Sequence, residues 1–207
     1  MRNTGYAYGM KPDRKEARAS QIEQVAFDLL DKRGAAGLSM RAVAKAARAS
    51  NETLYRWYGD RTGLLEALID RQAALLDVAM SEPQHSDPLD QLRDVATILL
   101  IQLLEQPAIA LSRAAAADTT GTLGRALARE SRDRIAPRLV SLMARAVDNG
   151  DLAGGTPQEM AEIFFALLVG DLQMRRATGA LQNPRKEFVK AHAGQAVAQL
   201  GKLFSPT

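Results

Sequence analysis

Residues 39–58 read SMRAVAKAARASNETLYRWY, from Ser39 to Tyr58, and the spacing of their few apolar side chains decides the fold. Met40, Val43, Ala44 and Ala47 share one face of a helix two turns long, and Ser39 stands before them as an N-cap whose oxygen can accept from a first-turn N–H. Ser50 is the next N-cap, and it opens a third short helix whose apolar face is Leu54 and Trp57. Upstream, Ile22, Val25, Ala26, Leu29 and Leu30 recur at i, i+3, i+4, i+7 and i+8, and Gly34 can end that helix in a left-handed conformation. Downstream of Gly59-Asp60, Leu64, Leu65, Leu68, Ile69, Leu75 and Leu76 predict a long helix that runs to about Ser81. Three short helices before a long one, with a four-residue turn between the second and third, is the layout of a helix-turn-helix module. Any small bundle has short helices, so layout alone does not name a function.

The rest of the composition agrees with helices. The chain has 207 residues, with 36 alanines against nine valines and seven isoleucines, a bias toward helix formers and away from β-branched strand residues. There is no cysteine, which excludes disulfide scaffolds, thiol catalysis and cysteine-based zinc sites. The N-terminal stretch lacks the apolar core of a signal peptide, and the longest apolar runs, such as FFALLVG at 164–170, are far shorter than a membrane span. The expectation is a reduced, cytoplasmic protein with no membrane partner.

Charge is distributed unevenly. Up to Arg61 there are 12 Lys+Arg against 7 Asp+Glu, a net of +5; beyond it there are 15 against 17, a net of −2. A basic small module joined to a slightly acidic larger one fits a head that meets a polyanion and a body that does something else, although basic arms also serve solubility.

Further helices are expected at about 88–105, 107–117, 122–148, 157–179 and 185–204, after a loop over EPQHSDP at 82–88. Thr156, Pro157 and Glu159 combine an N-cap, a first-turn proline and an N3 carboxylate as a capping box. Pro137 falls inside the 122–148 pattern and predicts a kink or a split there.

From Ile22 to Leu68 the apolar frame, Ser50 to Tyr58, Asp60-Arg61 and Leu64-Leu65 closely resemble the DNA-binding domain of the TetR family of bacterial transcriptional regulators. The signature centres on Thr53-Leu54-Tyr55 at the end of the recognition helix, an aromatic three residues later at Tyr58, the acidic Asp60, the basic Arg61 and the leucine pair. The resemblance implies an all-α, TetR-like fold of about nine helices: a basic arm at 1–18, a helix-turn-helix domain at 19–63, and an effector-binding and dimerisation domain at 64–207. It implies that residues 50–56, including Ser50 and Arg56, enter the major groove of double-stranded DNA at a palindromic operator. Tyr55 then reaches a phosphate oxygen, unless it packs as a core aromatic. Ser39 and Arg61, at helix starts, are placed to meet the DNA backbone. Arg41, Lys45 and Arg48 are either contacts to phosphate or base edges, or solvated charges. Asn51, Glu52 and Thr53 are the base-reading candidates, because Asn pairs with adenine, Glu accepts from cytosine and the Thr methyl meets thymine. Arg2, Lys11, Arg14, Lys15 and Arg18 form a tail that can reach the minor groove or phosphates. The sequence departs from the family pattern at Arg48, where a Gly is usual and a positive φ would cost about 1 kcal/mol, at Glu52, and at Trp57 and Tyr58.

The C-terminal stretch GDLAGGTPQEMAEIFFALLVGDLQMRRATGAL resembles the AefR-like subgroup. Gly170 and Asp171 interrupt an apolar helix, and Arg175, four residues on, is the partner expected for the carboxylate, as a surface ion pair or at a subunit interface. The resemblance implies a homodimer whose last two helices pack against their twofold mates, with Phe164, Phe165, Leu168, Phe188, Val197 and Leu200 contributing beside Asp171 and Arg175. It also implies an effector pocket for a small apolar or amphipathic molecule, lined by Leu76, Met80, Leu103, Leu111, Leu127, Met143 and Phe165, each of which is otherwise plain core. No catalytic residue, cofactor or metal site is expected: His85 and His192 have no ligand-spaced partners, and no phosphate loop or nucleophile elbow occurs. Two alternatives stand beside a ligand-released repressor: a DNA-bound scaffold controlled by a protein partner, and an all-α ligand-binding or catalytic protein with a vestigial helix-turn-helix.

Overall fold

A capping serine starts the second helix and an apolar quartet anchors it to its neighbours. In the computed structural model, which describes residues 12–79 and 86–206, α1 spans Pro12–Gly37, α2 Met40–Ala47, α3 Asn51–Tyr58 and α4 Arg61–Ala79. By its contacts the chain divides into two compact units, with the boundary between Leu64 and Leu65 inside α4.

In the first unit, Ser39 Oγ accepts from the Ala42 N–H at 3.1 Å and Ser50 Oγ from the Thr53 N–H at 3.0 Å, so both short helices start at satisfied caps. Their core is Ile22, Ala26, Phe27, Leu30, Leu38, Met40, Val43, Ala44, Ala47, Leu54 and Leu64, all buried. Each fully buried Leu or Ile contributes about 1.5–3 kcal/mol of transfer free energy, and that is what holds such short helices in place. Val25 and Leu29 are only half-buried, because the buried face of α1 is rotated toward Phe27. Gly34 has φ 65° and ψ −177°; it kinks α1 and is not a left-handed stop, and the chain runs on helically to Gly37. Arg14, Lys15 and Arg18 lie in the first turns of α1 and not in a tail, while Arg2 and Lys11 lie outside the described residues.

The second unit holds the rest of α4 with α5 (Pro88–Leu104), α6 (Gln106–Ala116), α7 (Thr122–Glu130), a π-helical turn (Ser131–Ile135), α8 (Ala136–Asp148), α9 (Pro157–Val169), α10 (Leu172–Thr178) and α11 (Lys186–Leu203). Its core forms where α5, α8, α9 and α11 pack together, around Leu92, Leu99, Leu100, Leu139, Met143, Met160, Phe164, Leu168, Val197 and Leu200. No single described helix is long and apolar enough to cross a membrane, and no described residue lies in a strand. Counting α7 to α8 as one helix and α9 to α10 as another gives nine helices among the described residues.

Two helices differ from the sequence reading. The stretch from Thr122 to Asp148 stays helical, with a π turn instead of a break. Pro137 cannot donate to the preceding turn, and its ring crowds the carbonyl four residues back. Widening the helix at 131–135 accommodates both within one turn. The predicted helix at 157–179 is split, because Gly170 takes φ 45° and ψ −126°, a conformation no helix contains. The capping box at its start is complete: Thr156 Oγ1 accepts from the Glu159 N–H at 3.2 Å, and Glu159 Oε2 accepts from the Thr156 N–H at 2.9 Å.

Candidate functional site

On α3, Asn51, Glu52, Tyr55 and Arg56 stand at i, i+1, i+4 and i+5, which places them on one helical face, and all four are exposed. Leu54 is fully buried on the other side and anchors the helix. Tyr55 is 56% exposed, so it is not a core aromatic. Thr53 is half-buried, and its hydroxyl lies 2.8 Å from Ser50 Oγ. On α2, Arg41 and Lys45 stand at i and i+4 on one exposed face, and Arg48, the residue that caps the helix, is a third exposed cation. The first unit thus carries exposed positive charge on α2 and a mixed hydrogen-bonding face on α3.

Arg48 is the one non-glycine among the described residues with positive φ, at φ 51° and ψ 45°; its N–H donates to the carbonyls of Ala44 and Lys45 and closes α2. Arg18 reinforces that turn, donating through Nη2 to the carbonyls of Ala47 at 2.9 Å and Arg48 at 2.8 Å. Arg61, expected to meet the DNA backbone, has its guanidinium turned to the chain instead: Nε donates to the Leu38 carbonyl at 2.8 Å and Nη2 to that of Ala35. It ties the start of α4 to the junction of α1 and α2. Lys15 Nζ sits 5.9 Å from the Trp57 ring centroid, and the Tyr58 hydroxyl donates to Glu23, so the two aromatics that depart from the family pattern fasten α3 to α1.

The second unit carries a partly open cavity of about 310 Å³. Leu76, Leu103, Leu111, Leu127 and Phe165, five of the residues expected around an effector, line it together. Met143 does not; it is fully buried in the core, because α8 turns that face toward its helix neighbours. Met80, like His85, lies outside the described residues. The polar part of the wall was not foreseen: Gln72, Gln102, Gln173, Ser112, Ser131 and Glu130. A signal for one of them exists in the sequence. Gln72 falls in register with Leu65, Leu68, Ile69 and Leu76, where a neutral polar residue interrupts an apolar stripe. Ser131 and Ile135, at the two ends of the π turn, both face the cavity.

Glu130 Oε2 accepts from Arg134 Nε at 2.7 Å, and its Oε1 lies 3.6 Å from Arg129 Nε. Burial together with the nearby Glu130 charge holds the Asp70 carboxyl above its ordinary value, against the pull of Arg129 and Arg134.

Phe164, Leu168, Val197 and Leu200, expected at a subunit interface, are 0 to 2% exposed. The packing of α9 and α11 against each other and α5 consumes their main apolar stripe, so these four side chains offer no surface. Phe188 is exposed and stacks on His192, whose Nε2 lies 3.0 Å from the Leu168 carbonyl. Asp171 and Arg175 are also exposed and pair at 3.8 Å. The informative arginine is the next one. Arg176 is buried, with Nε donating to the Leu104 carbonyl at 3.1 Å, Nη1 to that of Leu181 at 3.4 Å and Nη2 to Gln106 Oε1 at 3.3 Å.

Comparison with known proteins agrees with this arrangement. Residues 22–68 match the model of bacterial regulatory proteins of the tetR family, and residues 90–200, more than half of the chain, match that of the AefR-like transcriptional repressor C-terminal domain. An HTH-type transcriptional regulator of Mycobacterium tuberculosis is 30% identical over 99 residues, 47% of this chain and 49% of that protein. The chain thus spans about half the length of the curated relatives it matches. Among solved structures, a TetR transcriptional regulator from Agrobacterium tumefaciens is 29% identical with a TM-score of 0.75, over 91% of this chain and 94% of that one. The flavonoid-responsive regulator FrrA shares the fold at 23% identity, with a TM-score of 0.69 over 92% of this chain and 98% of that one.

Proposed function

Because this chain belongs to the TetR family of bacterial regulatory proteins, we propose that it is a homodimeric transcriptional repressor released from a palindromic operator by a small molecule. The observation that carries the DNA half of this reading is the exposed face of α3, with Tyr55 56% exposed beside Asn51, Glu52 and Arg56. A tyrosine more than half exposed is not held there by burial, and its hydroxyl is open to a partner. In the proposed complex α3 lies in the major groove, Tyr55 donates to a phosphate, and Asn51 and Glu52 read base edges. The exposed cations Arg41, Lys45 and Arg48 supply sequence-independent attraction. One short helix reads few base pairs, so specificity comes from two copies set roughly 34–36 Å apart on a twofold operator.

The cavity of the second unit supports the effector half. It is concave, mainly apolar and carries a few convergent polar groups, as ligand sites do. A small molecule bound there releases DNA only if it binds better to dimers whose recognition helices no longer match the operator spacing. The same fold serves the flavonoid-responsive FrrA, which is consistent with small-molecule control.

The test is selection of bound fragments from genomic DNA by the purified protein. A repressor enriches a palindromic sequence, and its affinity falls steeply as salt rises. Absence of any sequence-selective enrichment removes the proposal.

A further inference from the structure

We infer that the cavity of the second unit selects an uncharged, hydroxyl-bearing apolar molecule and rejects carboxylates and other anions. This rests on the proposed reading of that cavity as an effector site. Among the described residues, the wall contains no Lys, Arg or His, and its one formal charge is the carboxylate of Glu130, whose side chain is 14% exposed. An anion entering such a wall loses its water and finds no cation among the lining residues in return. A cation gains little, because Arg134 Nε at 2.7 Å and Arg129 Nε at 3.6 Å already meet Glu130.

Neutral groups fare differently. Gln72 and Gln102 share one hydrogen bond of 3.2 Å, which spends one N–H and one lone pair and leaves the pair three N–H donors and three lone pairs, whichever way the two amides are turned. Gln173 donates to the Leu103 carbonyl at 3.4 Å and keeps one N–H and both lone pairs of its oxygen. Ser112 gives its proton to the Ala108 carbonyl at 2.9 Å and keeps its lone pairs. The unspent capacity is therefore weighted toward acceptors, which favours a ligand that donates. Leu76, Leu103, Leu111, Leu127 and Phe165 supply the apolar surface for its body. A volume of about 310 Å³ lies at the lower end of ligand sites and suits a molecule of a few rings.

Naphthol, naphthoate and naphthylmethylammonium share one body and differ in head group, so their titration into the full chain at neutral pH isolates charge. Naphthol is expected to bind at least about tenfold more tightly than either charged analogue. Gln102→Met and Gln173→Met should each narrow that gap several-fold without changing the melting temperature by more than a few degrees. Leu111→Trp fills the cavity and should abolish binding of all three; Ala73→Leu, at a half-buried wall position, makes the same test by a smaller intrusion if the tryptophan is not tolerated. Naphthoate binding as tightly as naphthol, and lost in the filled variants, overturns the charge selection and leaves the cavity as the site. Binding that survives both filled variants, or no binding of any probe, overturns the inference and the reading of the cavity together. Binding of naphthol with no release of operator DNA upholds the inference and counts only against the proposed release mechanism.

Discussion

Arg18 donates to the carbonyl of Arg48 at 2.8 Å, across 30 residues of sequence, and Arg48 is the residue held at φ 51° in the helix-turn-helix. The cation on α1 therefore braces the one turn among the described residues of this unit where a side chain sits in a conformation that favours glycine. Left-handed backbone costs a non-glycine residue roughly 1–2 kcal/mol, and hydrogen bonds from a charged donor offset part of it.

Removing the brace should expose that cost. Arg18→Ala is expected to lower unfolding stability by about 1–2 kcal/mol, and Arg48→Gly to raise it by about 1 kcal/mol. In the double variant the glycine should recover most of the loss, which chemical denaturation of the full chain measures. An Arg18→Ala protein as stable as the parent would show that the turn needs no support. If Arg48 also meets a phosphate, Arg48→Gly gains stability while reducing the salt dependence of DNA binding by about one unit of slope.

Tyr55 separates binding from folding. Its ring is more than half exposed, and its hydroxyl makes no hydrogen bond among the described residues. Tyr55→Phe should leave the melting temperature unchanged and weaken operator affinity by about two- to tenfold, the worth of one net hydrogen bond. A fluorescence-anisotropy titration reads this directly. Unchanged affinity would remove the tyrosine from the phosphate contacts.

Neighbouring arginines on α10 should behave oppositely. Arg175 is exposed and 3.8 Å from an exposed Asp171, so Arg175→Ala should cost less than about 1 kcal/mol. Arg176→Met strips partners from the buried carbonyl of Leu104, from the half-buried one of Leu181 and from Gln106, and should cost about 2–4 kcal/mol. Equal effects in thermal unfolding would contradict the assignment of the buried arginine as the clamp between α10 and the end of α5.

The contrast shows where sequence stops being legible. Caps, the capping box and the helix-turn-helix frame depend on local chemistry within a few residues, so Ser39, Ser50 and Thr156 can be read directly. The apolar wall of the cavity was readable for the same reason that core is: Leu76, Leu103 and Leu111 must be buried somewhere. Three things depend on the third dimension. Phe164, Leu168, Val197 and Leu200 have the spacing of a buried stripe, but spacing cannot say whether the burying surface belongs to this chain or to a partner. Arg175 and Arg176 differ by about 100° around a helix, and only the break at Gly170 fixes which of them turns inward. Gln102 and Gln173 look like solvated residues until the helices opposite them are placed.

Asp70 gives the pH behaviour a sign. Its folded-state pKa is raised, first by burial and then by Glu130, and Arg129 at 3.8 Å does not cancel this. A carboxylate raised on folding stabilises the fold in its protonated form; that contribution is complete below the unfolded pKa of about 4 and is lost as pH rises through the folded value. At neutral pH the charged Asp70 is therefore a small liability, and Asp70→Asn should melt slightly higher than the parent. Because the side chain is about half exposed, the gain is of surface-charge size, below about 1 kcal/mol. The advantage should shrink as pH is lowered toward 4, where the parent acquires its own proton and the two proteins converge. Melting curves of both across that range decide it: a variant that melts lower at neutral pH would mean that attraction to Arg129 outweighs burial and the repulsion from Glu130.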